Sequence, residues 1–127
     1  MRWHIIEGIE GCKFAKDHNH TAVIVDALRA SCTAAMLFDA GATEITLVPD
    51  IDTALALKQA TPELLLFGER NGLPPDGFDS GNSPRDVSAA SGKSIGFTTS
   101  NGTALMLEAW GAASVYMATV TNAMALV

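Results

Sequence analysis

Leu64-Leu65-Leu66-Phe67-Gly68-Glu69-Arg70-Asn71-Gly72-Leu73-Pro74-Pro75-Asp76-Gly77-Phe78-Asp79-Ser80-Gly81-Asn82-Ser83-Pro84 joins an unbroken apolar run to a polar loop punctuated by glycine and proline. The run has strand length and no polar alternation, the pattern of a strand buried on both faces, as in a parallel sheet covered by helices. Four glycines and three prolines between Gly68 and Pro84 specify particular backbone turns. Among them Glu69, Arg70, Asp79, Asn82 and Ser83 supply groups able to bind a cation and an oxyanion together. A solvated connector is the plain reading of one such loop alone; the rest of the chain argues otherwise.

Outward from this stretch, apolar runs of strand length alternate with helical patterns. Strand-like 22–25 precedes a helical 31–40 closed by Gly41, 44–48 precedes 51–60, and 94–98 precedes 102–110 closed by Gly111; 114–118 is a last strand. Residues 3–6 are a further strand candidate. Asp50 is a good N-cap for the helix at 51–60, and Gly41 and Gly111 suit helix C-termini. Repeated β-α alternation predicts an α/β protein, a three-layer α/β/α arrangement with a mostly parallel sheet. Nothing divides the chain internally, so residues 1–127 read as a single α/β domain. The apolar turn at 123–127, after a cap-like Thr121-Asn122, has no ending of its own, which predicts a C-terminally truncated piece of a longer protein.

The 127 residues are 48% hydrophobic and 17% charged, enough apolar material for a core. A formal charge of −6 with eight basic residues, nowhere clustered, argues against a nucleic-acid surface. No apolar run approaches the roughly 20 residues of a membrane span, and the first residues lack signal-peptide form; the expectation is a cytoplasmic protein with no membrane partner, homo-oligomerisation being left open. Cys12 and Cys32 have neither metal-site spacing nor an Arg six positions on, so both read as reduced thiols, Cys32 within a helix. His18 and His20 read as a polar turn.

Polar residues gather where predicted strands end. Asp26, Arg29 and Ser31 follow the first strong strand, Glu69 and Arg70 follow 64–67, Thr98, Thr99, Ser100, Asn101 and Thr103 follow 95–97, and Thr119, Thr121 and Asn122 follow the last strand. Open α/β sheets bind ligands at the carboxyl ends of their strands. Asp26 and Arg29 in a strand-to-helix turn suit Mg²⁺ and an oxyanion. Thr98 to Thr103, with Gly102 for close approach, has the makings of an anion cradle at a helix start, although caps and turns alone would also use these residues. Gly92-Lys93-Ser94 is no phosphate loop, because Val87 replaces its first glycine and a strand follows it. Dinucleotide, nucleophile-elbow, zinc-protease and Asp-x-Asp phosphatase motifs are missing from the sequence.

Residues 25–31 (Val-Asp-Ala-Leu-Arg-Ala-Ser), Gly68-Glu69-Arg70 with 77–84, 98–103 and Asn122-Ala123 together resemble, in order, the 2-phosphosulfolactate phosphatases of the ComB type. The resemblance implies a distinctive α/β fold and an Mg²⁺-dependent phosphoric monoester hydrolase. Its reaction would take 2-phospho-3-sulfolactate to sulfolactate and phosphate, a step toward coenzyme M in methanogens. Ala27, Cys32 and Ser100 depart from the residues expected in the family, and family members are longer than this chain. On this reading Asp26, Arg29, Glu69 and Arg70 are catalytic, and Asp26, Glu69 and Asp79 position Mg²⁺. Ser31, Asn82, Ser83, Thr98, Thr99, Asn101, Gly102, Thr103 and Asn122 would bind a small anionic phosphorylated substrate. The alternatives are a non-catalytic small-anion-binding module and an interaction domain whose motif residues are only caps and turns.

Overall fold

The computed structural model describes residues 2–26 and 28–126, so Ala27 of the 25–31 motif and Val127 of the terminal turn lie outside the described residues. In chain order the elements are α1 (Gly8–Asp17), β1 (Thr21–Val25), α2 (Ala30–Asp39), β2 (Glu44–Leu47), α3 (Ile51–Ala60), β3 (Leu65–Gly68), β4 (Ser94–Thr98), α4 (Gly102–Glu108) and β5 (Ser114–Ala118), with short 3₁₀ turns at Ser88–Ala90 and Ala123–Ala125. Every strand pairing is parallel, as the uninterrupted apolar runs predict. The strands form two ladders, β2-β4-β3 and β1-β5.

The three-stranded ladder explains the Leu-Leu-Leu-Phe run. Alternate residues of a strand point to opposite faces. Leu65 and Phe67, with Ile95, Phe97, Ile45 and Leu47 in register beside them, pack on Ala30, Ala34 and Leu37 of α2. Leu64 and Leu66 face the other way, onto Ala54, Leu55 and Leu57 of α3. This part of the molecule is therefore the expected three layers. Phe67, Phe97, Leu37, Leu66 and Ile95 are fully buried, each worth roughly 2 kcal/mol of transfer free energy. The two-stranded ladder packs Ala22, Ile24 and Val115 against Cys12 and Ala15 of α1 and Leu105 and Ala109 at α4.

Asp50 caps α3 as expected, its Oδ1 accepting from Thr53 N at 2.7 Å, and Gly41 and Gly111 take positive φ just past α2 and α4. One expectation is corrected. Residues 3–6 form no strand; Trp3, Ile5 and Ile6 are exposed and have no ladder to join. Gly8–Asp17, for which the sequence suggested no element, form α1, whose buried side is only Cys12 and Ala15. The histidines gather around the ring of Phe14 at the end of that helix, with His18 stacked on it at 4.2 Å between centroids. Burial pushes the Cys12 thiol up in pKa, with the Glu108 carboxylate adding to the effect; both cysteines are free thiols. No helix among the described residues is long and apolar enough to cross a membrane.

Candidate functional site

The carboxyl ends of β1, β3 and β4 open onto one cleft of about 260 Å³. Asp26, Leu28, Arg29 and Ala30 line it from the β1–α2 turn, Glu69 from the end of β3, Asn82 from the long loop, and Thr99, Asn101 and Gly102 from the β4–α4 turn. Seven of these nine, all but Leu28 and Ala30, are residues that the sequence singles out. Leu28 is an apolar wall, 83% exposed, that chemistry-bearing motifs would not reveal.

Close approach of backbones brings these turns together, and two glycines permit it. A Cβ on Gly102 would lie 2.6 Å from Ala30 Cβ and 2.7 Å from Asp26 Oδ2. A Cβ on Gly68 would lie 2.1 Å from the Thr98 carbonyl oxygen. Side chains at these positions would push α4 away from Asp26, or β3 away from β4.

Glu69 ties the loops to one another. Its Oε1 accepts from Ser100 N at 2.8 Å, and its Oε2 accepts from Gly72 N at 2.9 Å and from the Ser100 hydroxyl at 3.3 Å. Burial pushes this carboxyl up in pKa, but the Ser100 and Gly72 amides, the Ser100 hydroxyl and the neighbouring Arg70 charge outweigh it and hold the group below its ordinary value. Thr99 and Thr103 are likewise mutually engaged: Thr103 N donates to Thr99 Oγ1 at 3.2 Å, and Thr103 Oγ1 accepts from Thr99 N at 2.8 Å and donates to Thr99 O at 2.9 Å. The predicted anion cradle is in part self-satisfied, and α4 is only seven residues long. Asn101, at the N-cap position, leaves its side chain without a capping bond.

Three groups in the cleft remain without partners among the described residues. The Asp26 carboxylate and the Arg29 guanidinium make no hydrogen bond or ion pair there, and Asn82, 6% exposed, keeps its Oδ1 buried with no donor. A buried acceptor without a partner costs about 1–3 kcal/mol, so Asn82 Oδ1 marks a place for a donor or a cation. By type, a carboxylate and an amide oxygen suit a cation, and a guanidinium suits an oxyanion.

Other candidates lie elsewhere. Arg70 does not line the cleft: its guanidinium donates to Glu69 O at 2.7 Å and to Thr98 Oγ1 at 2.8 Å, which occupies the buried Thr98 as well. Asp79 does not join Asp26 and Glu69. Its Oδ2 accepts from Leu66 N at 2.7 Å and pairs with Lys58 Nζ at 3.1 Å, fastening the loop to β3 and α3. Among the described residues no three His, Cys, Asp or Glu side chains gather as a metal site, so Asp26, Glu69 and Asp79, expected to position Mg²⁺ together, are not brought together as one set. Ser31 donates to the Asp26 carbonyl and to Ala118 O, stitching α2 to the ends of β1 and β5. Ser83 Oγ accepts from Arg85 N at 3.4 Å. Asn122 closes the turn after β5, accepting from Thr119 N and donating to Met117 O.

Fold and site define an open parallel α/β domain with a polar cleft at the carboxyl ends of its strands. Residues 6–127 match the family model described as 2-phosphosulpholactate phosphatase. Three relatives bear the name "Probable 2-phosphosulfolactate phosphatase". That of Deinococcus radiodurans is 44% identical over 108 residues, 83% of this chain and 45% of the relative. That of Carboxydothermus hydrogenoformans is 36% identical over 114 residues, 90% of this chain and 48% of the relative. That of Clostridium novyi is 31% identical over 126 residues, 97% of this chain and 54% of the relative. The chain belongs to the 2-phosphosulpholactate phosphatase family, and it spans about half the length of the curated relatives it matches.

Proposed function

We propose that residues 1–127 form the phosphate-binding half of an Mg²⁺-dependent phosphoric monoester hydrolase. Its substrate is 2-phospho-3-sulfolactate or a related phosphorylated hydroxy acid, and its products are the hydroxy acid and phosphate. One observation carries the reading: in a chain of this family, a carboxylate (Asp26) and a guanidinium (Arg29) without partners among the described residues share a single cleft with a buried amide oxygen (Asn82) that finds no donor there. A substrate with phosphate, sulfonate and carboxylate brings several negative charges to an acidic protein, and binds only where the local field is reversed.

Mg²⁺ is compatible with these groups, because it takes one or two protein oxygens and fills its octahedron with water and phosphate oxygens. Asp26 and Asn82 would hold it, and when bound it would offset charge on the phosphoryl oxygens. Arg29 grips an oxyanion through its planar fork. Glu69 and Arg70 position the loops rather than touch substrate, the one through the Ser100 and Gly72 amides, the other through Glu69 O and Thr98. Phosphoryl transfer asks chiefly for such positioning and charge neutralisation, and no covalent nucleophile is required.

The test uses a chimera joining residues 1–127 to the remaining length of the Deinococcus radiodurans relative. Phosphate release from 2-phospho-3-sulfolactate is expected with Mg²⁺ and is expected to stop on chelation. Undiminished turnover after exhaustive chelation would remove the metal role. Saturable binding without turnover would make the site a non-catalytic anion-binding module.

A further inference from the structure

The β1–β5 ladder is covered on one face only. Ala22, Ile24 and Val115 point inward to α1 and α4, and Met117 to the core beneath α2. The other face carries Val23, 40% exposed, opposite Tyr116, 49% exposed, and Val25, 76% exposed, opposite Ala118. Beyond the strand ends this face continues into an apolar groove of about 240 Å³ lined by Val25, Ala118, Thr119, Val120 and Ala123. Val120 is 78% exposed, and the buried Thr119 hydroxyl finds no partner among the described residues. Each strand of this ladder also pairs on one side only.

Parallel sheets are found almost only with both faces covered, and a contiguous apolar patch on a sheet marks an interface. Water is thus an unsuitable neighbour for Val23, Val25, Tyr116 and Val120. The curated relatives have about as much length again outside the matched region, since the matches take up 45%, 48% and 54% of them. We infer that the open face of β1–β5, with its Val25–Val120 groove, seats the other half of the family's length. The occupant is a segment of the same family with an apolar covering layer, on the side of the ladder opposite α1 and α4. This rests on family membership and the bare sheet face, and stands whether or not the cleft hydrolyses phosphate esters.

The experiment reads association without substrate. This chain is co-expressed with the unmatched half of the Deinococcus radiodurans relative, the complex is sized by light scattering, and backbone hydrogen exchange is compared with that of this chain alone. A one-to-one complex is expected, with exchange in 23–25 and 116–120 slowed about tenfold or more. The paired substitution Val23→Lys with Tyr116→Glu puts opposite charges at facing exposed positions, so the ladder itself is kept. It is expected to weaken the complex by about tenfold or more while leaving the Tm of this chain within a few degrees. A control substitution on the covered side, Asp17→Lys at the exposed end of α1, is expected to change neither. No complex, a complex whose 23–25 and 116–120 exchange is unchanged, or equal binding by the paired variant would each overturn the inference. So would a homodimer of this chain that buries the same face and excludes the added half.

Discussion

Replacing Glu69 by Gln tests whether this residue is a clamp between loops. The carboxylate accepts from Ser100 N on Oε1 and from Gly72 N and Ser100 Oγ on Oε2. A glutamine has one oxygen and one NH₂, so whichever way it turns, a donor meets the Ser100 or the Gly72 amide. The substitution loses a charge-assisted hydrogen bond and leaves an amide unpaired, a cost of about 2–4 kcal/mol. For a domain of this size that lowers Tm by roughly 6–20 °C. The pH dependence has a definite sign. The folded pKa of Glu69 is lowered from its ordinary 4.5, so its contribution is fully present above that value and is lost as pH falls through the folded pKa. Glu69→Gln should therefore be most destabilising near neutral pH and remove part of the acid limb of the wild-type stability curve. Thermal melts of both proteins between about pH 2 and pH 7 read both effects. A Tm within about 2 °C of wild type at neutral pH, with the same acid limb, would refute the clamp.

The two arginines should behave differently. In the chimera Arg29→Lys is expected to lower kcat/KM about 30- to 1,000-fold with little change in Tm, whereas Arg70→Lys is expected to cost about 1–3 kcal/mol of stability through its bonds to Glu69 O and Thr98; kinetics and melts together check this. Gly102→Ala gains about 1 kcal/mol in helix propensity but inserts a methyl group against Asp26 Oδ2 and Ala30. A net stability loss of roughly 0–2 kcal/mol by calorimetry should accompany a fall in turnover of about tenfold or more. Asp79→Asn should lower stability by about 1 kcal/mol while leaving the Mg²⁺ concentration for half-maximal turnover unchanged; a tenfold rise in that concentration, measured by metal titration of the chimera, would return Asp79 to the metal site.

The sheet was legible because burial on both faces leaves a continuous apolar trace, as in Leu64 to Phe67 between α2 and α3. The meeting of the turns was legible for a related reason: in parallel ladders the residues that follow the strands emerge at their carboxyl ends, and those after β1, β3 and β4 open onto one cleft, whatever their chemistry. Which way each side chain turns there is set by tertiary contacts. Arg29 and Arg70 each follow a strand closely in sequence, yet one is left in the cleft and the other is taken up by Thr98 and Glu69 O. Asp79 resembles a metal ligand in the sequence, but the loop returns alongside β3, and the strand amide of Leu66 and Lys58 of α3 claim its carboxylate. Helix α1 escaped notice because its inward side is two small residues, Cys12 and Ala15, among glycines and charges, too faint a stripe for periodicity to reveal.

Most polar residues of the motifs are consumed in building the cleft. Ser31 fastens α2 to two strands, Thr99 and Thr103 brace each other, Glu69 and Arg70 join β3 to β4, and Asn122 closes the turn after β5. A polar group already satisfied by protein partners has less to offer a ligand than one that is not. The cleft's binding capacity is therefore concentrated in the groups that folding leaves over, namely Asp26, Arg29 and Asn82 Oδ1. These are one anion, one cation and one neutral acceptor in about 260 Å³; on the proposed function such a set would attract a metal and an oxyanion jointly better than either alone, since each would screen the other's repulsion. Phosphate affinity of this site should accordingly rise when Mg²⁺ is present, and Mg²⁺ affinity should rise by the same factor when phosphate is present.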